Sequence, residues 1–243
     1  MKGNRLRIRL EEGGWVSGVR LLPDDFRPRR SPLIVLAHGA GSDMDHPFLV
    51  ELTRNLAHRG IGSLRFNFPY RQARRGFPDP MSRLLMTYRC VLERVSRPGP
   101  FQPGKTIIGG RSMGGRVASL LVSQGERLDG LLLLAYPLHP PGQPSRLRRD
   151  HFPDIEIPTC VIQGTRDRFS SPELLRESLA LIPGPVRVIR IEGADHSFQV
   201  LRRSGKTEEE VFRTISRSIA TWVNESGASD SSGSIEGFGI DID

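Results

Sequence analysis

Cysteine is nearly absent from this chain of 243 residues: Cys90 and Cys160 are the only two. Each lies within an apolar pattern and neither has metal-ligand spacing, so they read as buried core thiols and not as a disulfide framework or a metal site. Lysine is as scarce. Lys2, Lys105 and Lys206 stand against 32 arginines, and the formal charge is +8. A basic excess can attract nucleic acid or acidic substrates, but these arginines are scattered, and no zinc-finger, RNP-like or helix-turn-helix signature accompanies them. Nucleic acid is therefore not an expected partner. Long apolar runs are missing too. No window approaches the roughly 20 apolar residues needed to span a bilayer, and the opening MKGNRLRIRLEEGG lacks the apolar stretch of a signal peptide. These absences predict no membrane partner and a cytoplasmic location. No residue cluster implies a metal or an organic cofactor.

What is present suits one large α/β domain over residues 1–225, with 37% hydrophobic residues to fill its core. Residues 226–243, SGASDSSGSIEGFGIDID, carry four acids and no base and read as a disordered acidic tail. Leu6–Leu10 and Val16–Leu22 read as a hairpin around Glu12–Gly14. Short apolar runs at Leu33–Ala37, Ile61–Phe66, Thr106–Gly109, Leu131–Ala135, Thr159–Gln163 and Val186–Ile191 read as buried strands. Amphipathic stretches alternate with them: one from Pro47 to the stop at Gly60, one from Pro80 or Met81 through Val95, one after Ser112, Pro172–Leu181, and Thr207–Asn224. Continuous apolar strands alternating with amphipathic helices require a mostly parallel sheet covered on both faces.

The most informative segment is Thr106–Arg116, TIIGGRSMGGR. It sets Ser112 between glycines where an apolar strand turns into a helix. A serine hydroxyl is a poor nucleophile, so a sharp turn must expose its oxygen and a partner base must remove its proton. Gly110 and Gly114, two before and two after the serine, allow close packing beside such a turn. Asp167 and His196 then follow the ends of later strands, in QGTRD and GADHSF. Strand ends of a parallel sheet share one edge, so His196 can accept the Ser112 proton while Asp167 holds the imidazole tautomer. Asp195 is the nearest rival acid, but its adjacency to His196 suits it to shaping the turn. The loop His38-Gly39-Ala40-Gly41 ends the first buried strand. Its Ala40 amide, with the Met113 amide, supplies the donors that a tetrahedral oxyanion requires. His38 is read as a brace for that loop.

The segments LAHGAGSDMDHPF, LRFNFPYRQARRGFPDP, IIGGRSMGGR, LLLLAYPLHPPGQPSRLR, VIQGTRDRF and GADHSF, spread over roughly Pro32–Val223, resemble the α/β-hydrolase superfamily. The likeness is to its dienelactone-hydrolase-like branch, and within it to the group of human testis-expressed protein 30 and the hydrolase-like domain of the KANSL3 regulatory subunit. The resemblance implies an α/β-hydrolase fold, with Ser112, Asp167 and His196 as the triad and Ala40 and Met113 at the oxyanion hole. It also leaves an alternative open, since some relatives of this group serve as scaffolds: a non-catalytic protein-interaction surface on a hydrolase fold.

Between strands the linkers are too short for a large helical cap. That favours a small ester, lactone or thioester as the acyl substrate, bound in an open cleft. Asn67–Pro80 is expected as an extended segment near the active edge, where Arg71, with Arg74 and Arg75, would clamp an anionic group. Tyr70, with Phe68 and Phe77, would form an apolar wall beside it. His139, in the loop beginning at Tyr136, is a further candidate for the pocket lining.

Overall fold

The computed structural model describes residues 3–201 and 205–226. Its frame is an eight-stranded sheet in the order β1-β2-β4-β3-β5-β6-β7-β8, built from β1 (Asn4–Arg9), β2 (Trp15–Leu21), β3 (Pro32–Ala37), β4 (Gly62–Phe66), β5 (Lys105–Arg111), β6 (Gly130–Leu134), β7 (Thr159–Gly164) and β8 (Val186–Ile191). The opening hairpin β1–β2 is antiparallel and joins β4 antiparallel; every later pairing is parallel.

Alternation along the central strands divides the core. Leu33, Val35 and Ala37 of β3, Ile108 of β5 and Leu131 and Leu133 of β6 face one apolar layer. Ile34, Leu36, Ile107, Leu132 and Leu134 face the other. The period of two along a strand makes both faces apolar, so helices must cover both. The first layer is closed by α3 (Met81–Ser96), α4 (Met113–Ser123) and α5 (Pro172–Leu179), and the second by α1 (Pro47–Ala57) and α6 (Glu208–Glu225). Their ends follow the local chemistry. Pro47 sits in the first turn of α1, where a missing N–H costs nothing. Thr207 and Glu210 cap each other's backbone amides at the start of α6.

The segment 67–80 departs from the extended path expected of it. Pro69 opens a short helix, α2 (Pro69–Gln72), with Phe68 as its N-cap. Phe68 and Tyr70 are fully buried, whereas Phe77 is exposed. A proline with its backbone angle preset for helix, flanked by two aromatic anchors that the core can bury, outweighs the loop-like composition of this stretch. Of the acidic tail, Ser226 caps α6, and residues 227–243 lie outside the described residues. No large helical insertion covers the sheet edge among the described residues, and none of their helices is long and apolar enough to cross a membrane.

Candidate active site

Ser112 occupies a backbone conformation that an L-residue adopts only under constraint, φ 53° and ψ −117°. Its own N–H is held by Leu134 O at 2.8 Å, and its carbonyl accepts from Arg116 N at 3.1 Å as α4 begins. The glycines around it are required by space. A Cβ on Gly110 would stand 2.6 Å from both Ala37 O and the Gly114 carbonyl carbon, and one on Gly114 would collide with Ala37 O. The strand, the turn and the helix are thus pressed together, which thrusts the Ser112 side chain out over the carboxyl end of the sheet.

Two further loops reach this point. Asp167 follows β7 and His196 follows β8, and the loops are laced together: Arg166 N donates to Ala194 O at 2.9 Å, and Gly193 N to Thr165 Oγ1 at 2.9 Å. Gly164 is where they cross, since a Cβ there would meet Asp195 O at 2.7 Å. The result is a continuous hydrogen-bonded line. His196 Nδ1 lies 2.6 Å from Asp167 Oδ2, and His196 Nε2 lies 3.0 Å from Ser112 Oγ. The Asp167 side chain is wholly buried; that of His196 keeps 21% of its surface. An ionised Asp167 accepts from Nδ1–H, so the Nε2 lone pair faces the serine hydroxyl.

Three residues that the motif reading did not single out support this line. Gln163 Nε2 donates to Asp167 Oδ2 at 2.6 Å, while its Oε1 accepts from Tyr136 N at 2.9 Å. A polar side chain closing the otherwise apolar strand TCVIQG was the available signal, because a buried amide must find partners. Phe169 donates its backbone N–H to Asp167 Oδ1 at 2.9 Å and sets its ring edge 4.7 Å from the His196 ring. Arg111, the residue before the serine, donates to His196 O at 3.3 Å and to Ser197 Oγ at 3.1 Å. Burial lowers the pKa of Arg111, and the carboxylates of Asp195 and Asp167 oppose that shift. Asp195 itself accepts from Ser197 N and Gln199 N through Oδ1, at 2.7 and 3.0 Å, and so shapes the turn.

The loop after β3 runs beside the serine: a Cβ on Gly39 would be 3.6 Å from the Ser112 Cβ. His38 is buried beneath it. Its Nδ1–H donates to Gly39 O at 2.8 Å and its Nε2 accepts from Phe68 N at 3.2 Å, fixing one neutral tautomer. Burial lowers its pKa to about 4, against the pull of the Gly39 carbonyl and Asp43. Among the described residues no acceptor binds the amides of Ala40 or Met113.

Tyr70 differs from its expected place on a substrate wall. With no exposed surface, it instead donates its hydroxyl to Ala40 O at 2.7 Å, bracing the same loop from below. Its neighbour Arg71 is engaged by Asp43 at 3.4 Å. His139 lies one ring removed from the site: it bonds Pro140 O at 2.9 Å and packs its ring 6.0 Å from Phe169. No group of acids, histidines and cysteines able to hold a metal occurs among the described residues.

The arrangement of a half-buried serine on a strand-to-helix turn, with an acid and a histidine on later strand ends, defines a class. The alpha/beta hydrolase domain profile matches residues 30–224, and the chain belongs to that family. Solved structures agree on the fold at low identity. The dienelactone hydrolase from Anabaena variabilis is 16% identical, with a TM-score of 0.72 over 92% of this chain and 97% of that one. Est1E from Butyrivibrio proteoclasticus is 13% identical, with a TM-score of 0.73 over 94% of this chain and all of its own. A lidless α/β serine hydrolase from Xanthomonas campestris is 20% identical, with a TM-score of 0.70 over 93% of this chain and 95% of that one.

Proposed function

We propose that this hydrolase is a serine esterase that works through an acyl-enzyme, with Ser112 as nucleophile, His196 as general base and acid, and Asp167 as the group that orients and stabilises the imidazolium. The observation that carries the reading is the unbroken line Asp167–His196–Ser112, at 2.6 and 3.0 Å. The Ser112 oxygen attacks the substrate carbonyl carbon as its proton passes to His196 Nε2. The Ala40 and Met113 amides receive the negative charge that forms on the carbonyl oxygen. Collapse of the tetrahedral intermediate expels the alcohol or thiol, which leaves with the proton from His196. Water then repeats the sequence on the acyl-serine and releases the acid. Loss of one oxyanion donor costs roughly 3 kcal/mol of transition-state stabilisation in comparable sites, so the free amides at Ala40 and Met113 are a substantial part of the proposed machinery.

The substrate is a small carboxylic ester, lactone or thioester, or the accessible end of a larger molecule. The uncapped rim supports this, as do relatives described as a dienelactone hydrolase and as a serine hydrolase without lid. Est1E, the second structural relative, has been seen with ferulic acid bound; an aromatic acyl group therefore belongs in the substrate panel. His139 and Phe169 are the side chains proposed to border the acyl group.

A fluorophosphonate probe followed by peptide mass spectrometry tests the assignment. Modification should map to Ser112 and fall sharply in His196→Ala. Undiminished labelling of Ser112→Ala would remove the mechanism and leave a scaffold on a hydrolase fold as the better account.

A further inference from the structure

The opposite edge of the sheet holds a cavity of ≈ 260 Å³ that the proposed chemistry does not use. Its floor is apolar, made by Leu6 of β1, Leu33 of β3, Leu64 of β4 and Val95 of α3. Leu33 lies at the start of β3, so about 13 Å of extended chain separates it from Ala37, where the Ser112 edge begins. The walls are basic. Arg20 projects from β2, Arg94 from the last turn of α3, and Arg97 from the residue that ends that helix.

Among the described residues, none of the three arginines has a carboxylate partner or a hydrogen-bond acceptor. This sets them apart from Arg5, Arg65, Arg71, Arg75, Arg83 and Arg89, all of which reach acids. Arg94 and Arg97 have a local reason to be cationic, since positive charge near a helix C-terminus is favourable. Arg20 has none. It comes from a strand, is only 9% exposed, and stacks its guanidinium 3.5 Å from the centroid of the Phe101 ring. Burial and the nearby Arg94 charge both lower its pKa. Two cations facing one cavity without an anion between them repel each other, and a ligand of opposite sign would relieve that repulsion.

We propose that this cavity is a binding site for a small organic anion: a carboxylate or phosphate group held by Arg20, Arg94 and Arg97, with a compact apolar body of about one ring set against Leu6, Val95 and Pro98, over the buried Leu33 and Leu64. The size fits. A dry cavity of about 150 Å³ holds benzene, so the remaining volume accommodates one anionic group. Arginine suits the task because its planar fork binds two oxygens at once and remains charged in a partly apolar wall. The Phe101 ring, 43% exposed at the mouth, keeps the Arg20 fork in place and offers a face to the ligand.

Calorimetric titration of the full chain tests this with phenyl phosphate, benzoate, phenol and inorganic phosphate as probes. Phenyl phosphate should bind one per chain, more weakly as salt is raised, with benzoate somewhat weaker and phenol and inorganic phosphate much weaker. Arg20→Gln and Arg94→Gln should each weaken phenyl phosphate by roughly tenfold or more, the loss expected of one charged hydrogen-bonding partner. Arg97→Gln, at an exposed position, guards against a folding defect from Arg20 and should lose severalfold with an unchanged melting temperature. Ser112→Ala should bind as the wild type does, which separates this cavity from the hydrolytic edge. Phenyl phosphate that fails to bind, that binds no better than phenol or inorganic phosphate, or that binds equally to all three arginine variants would overturn the proposal. Binding abolished by Ser112→Ala would overturn it as well, by moving the ligand to the other site.

Discussion

Two serines meet histidines at helix α4, Ser112 as its N-cap and Ser119 within it, and the shorter contact is not the one proposed to react. Ser119 Oγ lies 2.8 Å from His151 Nε2, whereas Ser112 Oγ lies 3.0 Å from His196 Nε2. The difference is the direction of the proton. With the Ser119 hydroxyl hydrogen directed to Arg116 O, at 2.9 Å, the hydrogen between it and His151 comes from the imidazole. In that arrangement the ring is a donor and does not act as a base toward Ser119. At Ser112 the carboxylate of Asp167 takes the Nδ1 hydrogen, and Nε2 is left as an acceptor. Surroundings add to the contrast: Ser119 is fully buried inside a regular helix, while Ser112 is reachable at a strained turn. Distance alone therefore does not identify a nucleophile; the partner on the far ring nitrogen does.

The strongest way to break this contrast is to remove each member of the reactive line. Ser112→Ala and His196→Ala should each lower kcat for a short-chain aryl ester by at least about 10⁴-fold, measured against protein of unchanged melting temperature. Retention of a tenth of the activity would end the assignment. A finer probe is Gln163→Leu, which keeps Asp167 but deletes one of its donors. Misplacing a reacting group by an ångström costs up to about a hundredfold, and the loss should appear in kcat with KM little changed. Gln163→Glu should not rescue it, because a second carboxylate would repel Asp167.

The pH dependence of stability sharpens the comparison through the structural histidines. Burial holds His38 and His151 at pKa values of about 4, below the 6.5 of an unfolded chain. The unfolded state therefore binds more protons between these values, so the stabilisation is present above pH 6.5 and is lost as pH falls toward 4. His38, with no exposed surface, should account for about 3 kcal/mol of that loss. Chemical denaturation from pH 7 to 4 measures it, and a flat profile would contradict the buried neutral rings. The smallest effect should come from Ser119→Ala. It should cost about 1 kcal/mol of stability and less than about threefold in turnover, since its contact with His151 takes no part in proton transfer.

Much of this was legible in the sequence, and for physical reasons. Gly110 and Gly114 mark the turn because no side chain fits there, and Asp167 and His196 follow apolar runs whose ends the sheet brings to one edge. The continuous apolar runs of β3 and β6, covered on both faces, were readable in the same way. The loop 67–80 was not, since its fate depended on a cavity for Phe68 and Tyr70 that only the assembled layers provide. Tyr70 is accordingly a buried prop whose hydroxyl holds Ala40 O. Gln163 and Arg111 were hidden for a related reason. Their partners lie across the fold, at Tyr136 and Asp167 for one and at His196 and Ser197 for the other, and no local pattern encodes such pairings.

The grip of Arg111 on the His196 loop has a mechanical meaning. His196 is carried just beyond β8, an outermost strand of the sheet, yet the guanidinium that clasps its loop grows from the residue beside Ser112, at the end of the interior strand β5. The proposed base is thus tied to the same strand end as the hydroxyl it faces, so both sides of the Ser112–His196 contact share one anchor.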